Sequence, residues 1–126
     1  MTVEIDKTTI TTFQGDTCPV TFKGLTEGDL IGFGVRDRIT NQLVFDELRN
    51  IVNSEGEVTF TITPEMSNNF VVDPKVGINT YYYGIKQIDT VSGEENTILL
   101  GDNSKSSDKY IMKVFIKKVE GNTENG

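Results

Sequence analysis

The chain has 126 residues, 36% hydrophobic and 25% charged, an ordinary globular balance that suits one domain with its own core. Its formal charge of −7, from 19 acids against 12 bases, repels phosphate backbones and anionic headgroups, so nucleic acid and membrane surfaces are poor partners. With no histidine the usual general base near neutral pH is missing, and with Cys18 as the only cysteine neither an internal disulfide nor four-ligand zinc binding is open to it.

Met1–Asp6 carries neither the basic nor the apolar region of a signal peptide, and no stretch approaches the ~20 apolar residues of a membrane span. Synthesis in a cytoplasm, without export by a general secretion route, is the expectation. From there the apolar residues alternate with period two. Ile10 and Phe13 mark a first strand, ended by the Gly15-Asp16 turn. Cys18, beside Pro19, reads as a small buried residue rather than a reactive thiol. Val20 and Phe22 alternate with Thr21 and Lys23 in a second strand, and a turn over 25–28 leads into a third, where Ile31, Phe33 and Val35 share one face.

The other face of that third strand carries Gly32 and Gly34. Glycine weakens a strand unless a neighbour approaches its backbone closely, and one of the tyrosines at 81–83 is expected to fill the gap. No helix follows this Gly-x-Gly, so it is no nucleotide signature. After the Thr40-Asn41 turn, Leu43 and Phe45 read as a short strand; a helix over 44–48 is the other reading, but alternation fits its apolar positions as well. The turn Asn53-Ser54-Glu55-Gly56 precedes the clearest strand, in which Val58, Phe60 and Ile62 oppose Glu57, Thr59, Thr61 and Thr63.

Thr63-Pro64-Glu65-Met66 then has the grammar of a helix start. Threonine caps free N–H groups, proline fits the first helical position, and glutamate favours the positive end of the dipole. One or two turns near 64–69 should plug the end of a sandwich, with Phe70, Val71 and Val72 folding back onto the core. The most informative stretch, 78–101, reads as two strands, Tyr81–Ile88 and Asn96–Leu100, joined by a polar loop with Gly93 at its tip. Asp102–Asp108 resembles the start of a calcium loop, but serine stands where the sharp-turn glycine belongs and Lys113 where a bidentate glutamate should sit. It reads as a polar loop.

The final strand, Tyr110–Lys118, points Met112, Val114 and Ile116 inward, and Lys113 and Lys117 outward with Ile111 and Phe115 on their side. Phe115, Lys113 and Lys117 are the candidate contact surface, with cover of Phe115 by the N-terminal segment as the competing reading. Lys105, Lys109, Lys113, Lys117 and Lys118 crowd the last quarter, as a solvated face with basic edge guards or as a docking patch for an acidic protein. Residues 120–126 are polar and glycine-bearing and read as a flexible tail, leaving 1–119 as the domain. Some seven or eight strands without a long helix suit two packed sheets.

No Gly-x-Ser-x-Gly or Walker-type loop is present. A pair of carboxylates could serve a glycosidase, but the acids lie mostly in turns or on outward strand positions, and no tryptophan offers a sugar platform. No catalytic, cofactor or metal site is expected. Tyr81, Tyr82, Tyr83 and Tyr110 leave a carbohydrate-binding module as the alternative, although alternation puts Tyr81 and Tyr83 together on the core face.

Several pieces, in order, carry a resemblance: Phe13-Gln-Gly-Asp-Thr-Cys-Pro-Val-Thr-Phe22, Leu30-Ile-Gly-Phe-Gly-Val-Arg-Asp37, Val58-Thr-Phe-Thr-Ile-Thr-Pro-Glu65, and Thr80-Tyr-Tyr-Tyr-Gly-Ile-Lys-Gln-Ile88 followed by Gly93 and Thr97-Ile-Leu-Leu-Gly101. Together, over about residues 8–118, they resemble the N-terminal domain of phage baseplate upper proteins, found in tails of phages and prophages of Gram-positive bacteria. Each piece has low specificity; their order and spacing have more. The resemblance implies an all-β, immunoglobulin-like antiparallel sandwich and a virion structural role. Such a domain anchors or positions receptor-binding proteins by contact with other tail and baseplate proteins, itself as a homo-oligomer, with no catalytic residues to carry over.

Overall fold

Period-two alternation fixes which side of each strand enters the core, and the computed structural model, which describes residues 9–100 and 110–116, follows it closely. The strands are β1 (Thr9–Phe13), β2 (Cys18–Phe22), β3 (Leu30–Asp37), β4 (Leu48–Ile51), β5 (Val58–Ile62), β6 (Ile78–Ile88), β7 (Glu95–Leu100) and β8 (Ile111–Phe115); one helix, α1 (Pro64–Ser67), lies between β5 and β6. One sheet has the order β1-β8-β6-β3-β4, with β7 also on β6; the second pairs β2 with β5. The chain therefore leaves β2 for β3 and β4 in the opposite sheet before returning to β5. That excursion is the Greek-key connection of an immunoglobulin-like sandwich. Among the described residues all strand pairings are antiparallel except β1 with β8, which run parallel in register from Thr9↔Ile111 to Phe13↔Phe115.

Both sheets send their alternate residues into one core. Val20, Phe22, Val58, Phe60 and Ile62 meet Ile10, Ile31, Phe33, Val35, Tyr83, Ile85, Met112 and Val114 there. Phe22, Phe33, Phe60 and Tyr83 form its centre, with ring centroids 5.3–6.2 Å apart. Burial, with the nearby Tyr110, pushes the Tyr83 phenol well above its ordinary range. Cys18 is buried as expected, and burial raises its thiol, so it stays protonated and inert.

The β5–β6 connection is tied down at both ends. Thr63 Oγ1 accepts from the Met66 N–H at 3.3 Å and caps α1, which begins on Pro64 and lasts a single turn. Fully buried Ser67 accepts from the Gly15 N–H at 2.9 Å and so fastens the helix to the β1–β2 turn. At the start of β6, Tyr81 Oη accepts from the Val71 N–H at 2.8 Å. A tyrosine that reaches back from this strand to the preceding corner is the tyrosine corner of immunoglobulin-like sandwiches.

Four expectations need correction. Leu43 and Phe45 form no strand: Leu43 makes one bridge to Arg36, and Phe45 turns inward to pack its ring edge-on against Phe70 at 6.2 Å. The strand comes later, at β4. Phe70 and Val72 reach the core, but Val71 stands 73% exposed. The last strand begins one residue later than read, because Tyr110 at φ 60 bends the chain before β8, and Ile116 lies just past its end; Lys118 lies outside the described residues. The gap over Gly32 and Gly34 is not filled by a tyrosine, as the outer face makes plain. The polar run 102–108, Lys117 and the tail 120–126 lie outside the described residues.

Candidate functional site on the outer sheet face

β6 is 11 residues long, which lets two strands share one of its edges. β3 pairs with it over 81–88, while β8 (over 78–82) and β7 (over 84–88) lie end to end on the other side, with a register shift at Ile85/Lys86. On the solvent face this brings three glycines together, Gly34 directly opposite Gly84 and Gly32 opposite Lys86. With no side chains to fill it, the centre of the sheet becomes an open trough of about 430 Å³, walled by Arg36, Leu43, Tyr82, Glu95 and Leu100.

Leu43 covers Gly34, and Glu47 with Lys86 covers Gly32, which is why no tyrosine is needed there. Tyr82 lies two residue pairs from Gly34 and Gly84, opposite Arg36, under the guanidinium of Arg38 at 5.7 Å from its ring centre. Lys86 Nζ donates to Glu47 at 2.8 Å and to Glu95 at 2.9 Å, and Arg49 Nε donates to Glu47 at 2.8 Å. Partial burial works against the Glu47 charge, yet hydrogen bonds from Lys86 and Arg49 outweigh it and hold the carboxyl below its ordinary range. The hydrogen bonds that Lys86 donates to Glu47 and Glu95 hold its ammonium above its own ordinary range. The two carboxylates thus share one cation.

Farther along the same face, Ile78, Phe115 and Phe13 are cross-strand neighbours and form an apolar row. Phe13 packs its ring against Phe115 with centroids 5.7 Å apart and itself stays 48% exposed at the sheet's rim. Of the sequence-predicted contact residues, Phe115 is therefore half-covered by the first strand, Lys113 stands exposed in the next row, and Lys117 lies outside the described residues. Phe13 and Ile78 were missed. Only the β1–β8 pairing puts them there, and no local signal announces a parallel partner 102 residues away in register.

A second feature was legible but overlooked. Asp37-Arg-Ile-Thr-Asn41 and Asp89-Thr-Val-Ser-Gly93 build the same loop twice. Asp37 Oδ1 accepts from the Ile39 and Thr40 N–H groups at 2.7 and 2.9 Å, and Asp89 Oδ1 from those of Val91 and Ser92 at 2.8 and 3.0 Å. These backbone donors, Thr40 then Ile39 and Ser92 then Val91, hold both carboxyls below their ordinary range. Each loop closes on a residue at positive φ, Asn41 or Gly93. Ile39 and Val91, at the tips, are 94% and 95% exposed. Because β3 and β6 are antiparallel, the two tips stand at opposite ends of the sheet.

Tyr81 and Tyr83 sit in the core, as alternation required. Among the described residues no three His, Cys, Asp or Glu side chains converge to hold a metal ion, and no helix is long and apolar enough to cross a membrane. No protein-family model and no curated protein matches the chain.

Proposed function

We propose that the chain is a structural assembly module of a phage or prophage virion, holding or positioning receptor-binding components of the tail or baseplate by protein–protein contacts. The observation that carries this reading is the location of the exposed large apolar side chains. The most exposed of them, Ile39 and Val91, stand on the two hydrogen-bonded tips, and Phe13 ends the rim row, where a partner meets them without any change in the sandwich. The ordered sequence resemblance supplies the tail setting. Co-expression with the products of neighbouring tail genes tests it. A complex should survive size exclusion and weaken in Phe13→Asp or Ile39→Asp, and a chain that binds none of those products at high concentration refutes the reading.

The trough supports a second reading, a carbohydrate-binding module, since Arg36, Asn41, Glu95 and Thr97 line it with polar groups and Tyr82 forms part of its wall. Glycan-array binding that is lost in Arg36→Ala would favour it over the first; an array without specific binding ends it.

A further inference from the structure

Every strand at a sheet's margin offers a row of unpaired N–H and C=O groups, and natural sheets guard such margins with charge, proline, bulges or cover. The described margins divide on this point. β2 carries Pro19. β4 carries Arg49, and the Asn50 side chain crosses to the Thr59 C=O at 2.9 Å, tying β4 to the margin of β5. β7 begins at Glu95 and is shifted in register beside Ile85 and Lys86. β1, Thr9-Ile-Thr-Thr-Phe13, has no charge, no proline and no register shift, and no strand among the described residues lies on its outer side.

The direction of its main-chain groups follows from one hydrogen bond. The Gln14 N–H donates to the Phe115 C=O at 2.8 Å, so Gln14 faces β8. In a parallel pair a residue's N–H and C=O point to one side, and the side alternates along the strand. Ile10 and Thr12 therefore face β8 as well, while Thr9, Thr11 and Phe13 face outward. The Phe13 C=O accepts from the Asp16 N–H at 3.1 Å and from the Ser67 hydroxyl at 3.4 Å, so at Phe13 the N–H is the group left for a partner.

Three outward residues spaced evenly about Thr11 make a self-complementary pattern. An antiparallel copy related by a two-fold at Thr11 sets Thr11 against Thr11, Thr9 against Phe13, and Phe13 against Thr9. In that register the Thr11 and Phe13 N–H groups meet the free C=O groups of Thr11 and Thr9 in the other copy, four hydrogen bonds in all, while the Phe13 C=O stays with Asp16 and Ser67. A slip of two residues leaves one residue per chain unmatched, and a slip of one turns outward groups against inward ones. Phe13, half-exposed in one copy, then lies beside the other copy's Thr9 and the Ile111 paired with it. We propose that β1 is a self-pairing margin through which a second copy of this chain extends the sheet across a molecular two-fold. The proposal rests on the assembly reading and gives it one strand and one occupant.

Thr11→Pro removes an outward N–H without taking a bond from inside the sheet, and Thr11→Lys sets two ammonium groups face to face on the two-fold axis. Sedimentation equilibrium on the full chain should show a dimer whose dissociation constant rises at least about tenfold in either variant. Circular dichroism should stay as in the wild type, and so should the melting temperature measured well below the wild-type dissociation constant, where no dimer adds to stability. Thr21→Pro, on the β2 margin, should leave the dimer intact. A spin label at Thr11, in Cys18→Ala protein, should report one short distance between copies. A wild type that stays monomeric at millimolar concentration overturns the proposal. So does a dimer that survives both Thr11 variants, or a β1 covered only by a different tail protein. None of these results touches the assembly reading, which fails only if no neighbouring tail product binds.

Discussion

Gly84 is the residue on which the shared margin of β6 turns, and Gly84→Ala tests that directly. An added Cβ would lie 2.8 Å from the Leu99 carbonyl oxygen and 3.0 Å from Leu100 Cδ1. The carbonyl belongs to β7, whose ladder to β6 runs on both sides of the register shift, so it cannot swing aside as a side-chain tip can. At Gly34, across the sheet, the tightest neighbour is Leu43 Cδ2 at 3.0 Å, the free end of a 41% exposed side chain. Glycine to alanine at a compatible site stabilises by about 0.4–1 kcal/mol through the unfolded chain. Overpacking costs about 1–3 kcal/mol. At Gly84 the clash dominates and the net loss is about 1–2 kcal/mol, a fall in melting temperature of about 4–8 °C for a domain of this size. At Gly34 the leucine moves, and the variant should be neutral or more stable by up to about 1 kcal/mol. Thermal and urea unfolding of both variants gives the comparison. A Gly84→Ala protein as stable as Gly34→Ala would refute the claim that a bare backbone at position 84 lets β7 approach.

Ser67→Ala should cost about 1–2 kcal/mol in urea unfolding, because the Gly15 N–H loses its acceptor and α1 its tie to the β1–β2 turn. Asp89→Ala should speed amide exchange at Val91 and Ser92 while leaving β6 protected, since one carboxylate oxygen accepts from both. The folded Glu47 carboxyl is held below its unfolded value, so its contribution is complete above about pH 4.3 and disappears as pH falls through the folded value. Glu47→Gln should therefore flatten the acid side of the melting-temperature profile, by less at high salt because the network faces solvent.

The inward face was readable from the sequence because burial imposes one rule on every strand. Ile31, Phe33 and Val35, or Val58, Phe60 and Ile62, had to share a side whatever their partners were. Thr63-Pro64 announced α1 for a similar reason, since capping is decided by residues next to each other. The outer face obeys no such rule. What covers Gly32 depends on Glu47 and Lys86, which meet only because β3 and β6 pair in one register, and the Phe13–Phe115 contact depends on a parallel pairing of the first and last described strands. Phe45 misled because alternation shows only that a residue is apolar at a given spacing. Its packing against Phe70, from a loop, won over strand pairing beside β3.

The same distinction bears on where a partner should bind. The core is closed by aromatic contacts that leave no side chain over for recognition, and the charged residues at the centre of the outer face are occupied with one another. A partner that displaced the Glu47–Lys86–Glu95 network would have to desolvate three charges, at a cost a typical contact does not recover. The rim and the loop tips carry no such penalty. Their apolar side chains already face water, and their main-chain geometry is set before any encounter, so little conformational entropy is lost on contact. Association that begins at β1 or at the Ile39 and Val91 tips should therefore depend weakly on salt, whereas association through the trough would break ion pairs and depend on it strongly. Measuring any complex at two ionic strengths separates the two surfaces before a single residue is changed.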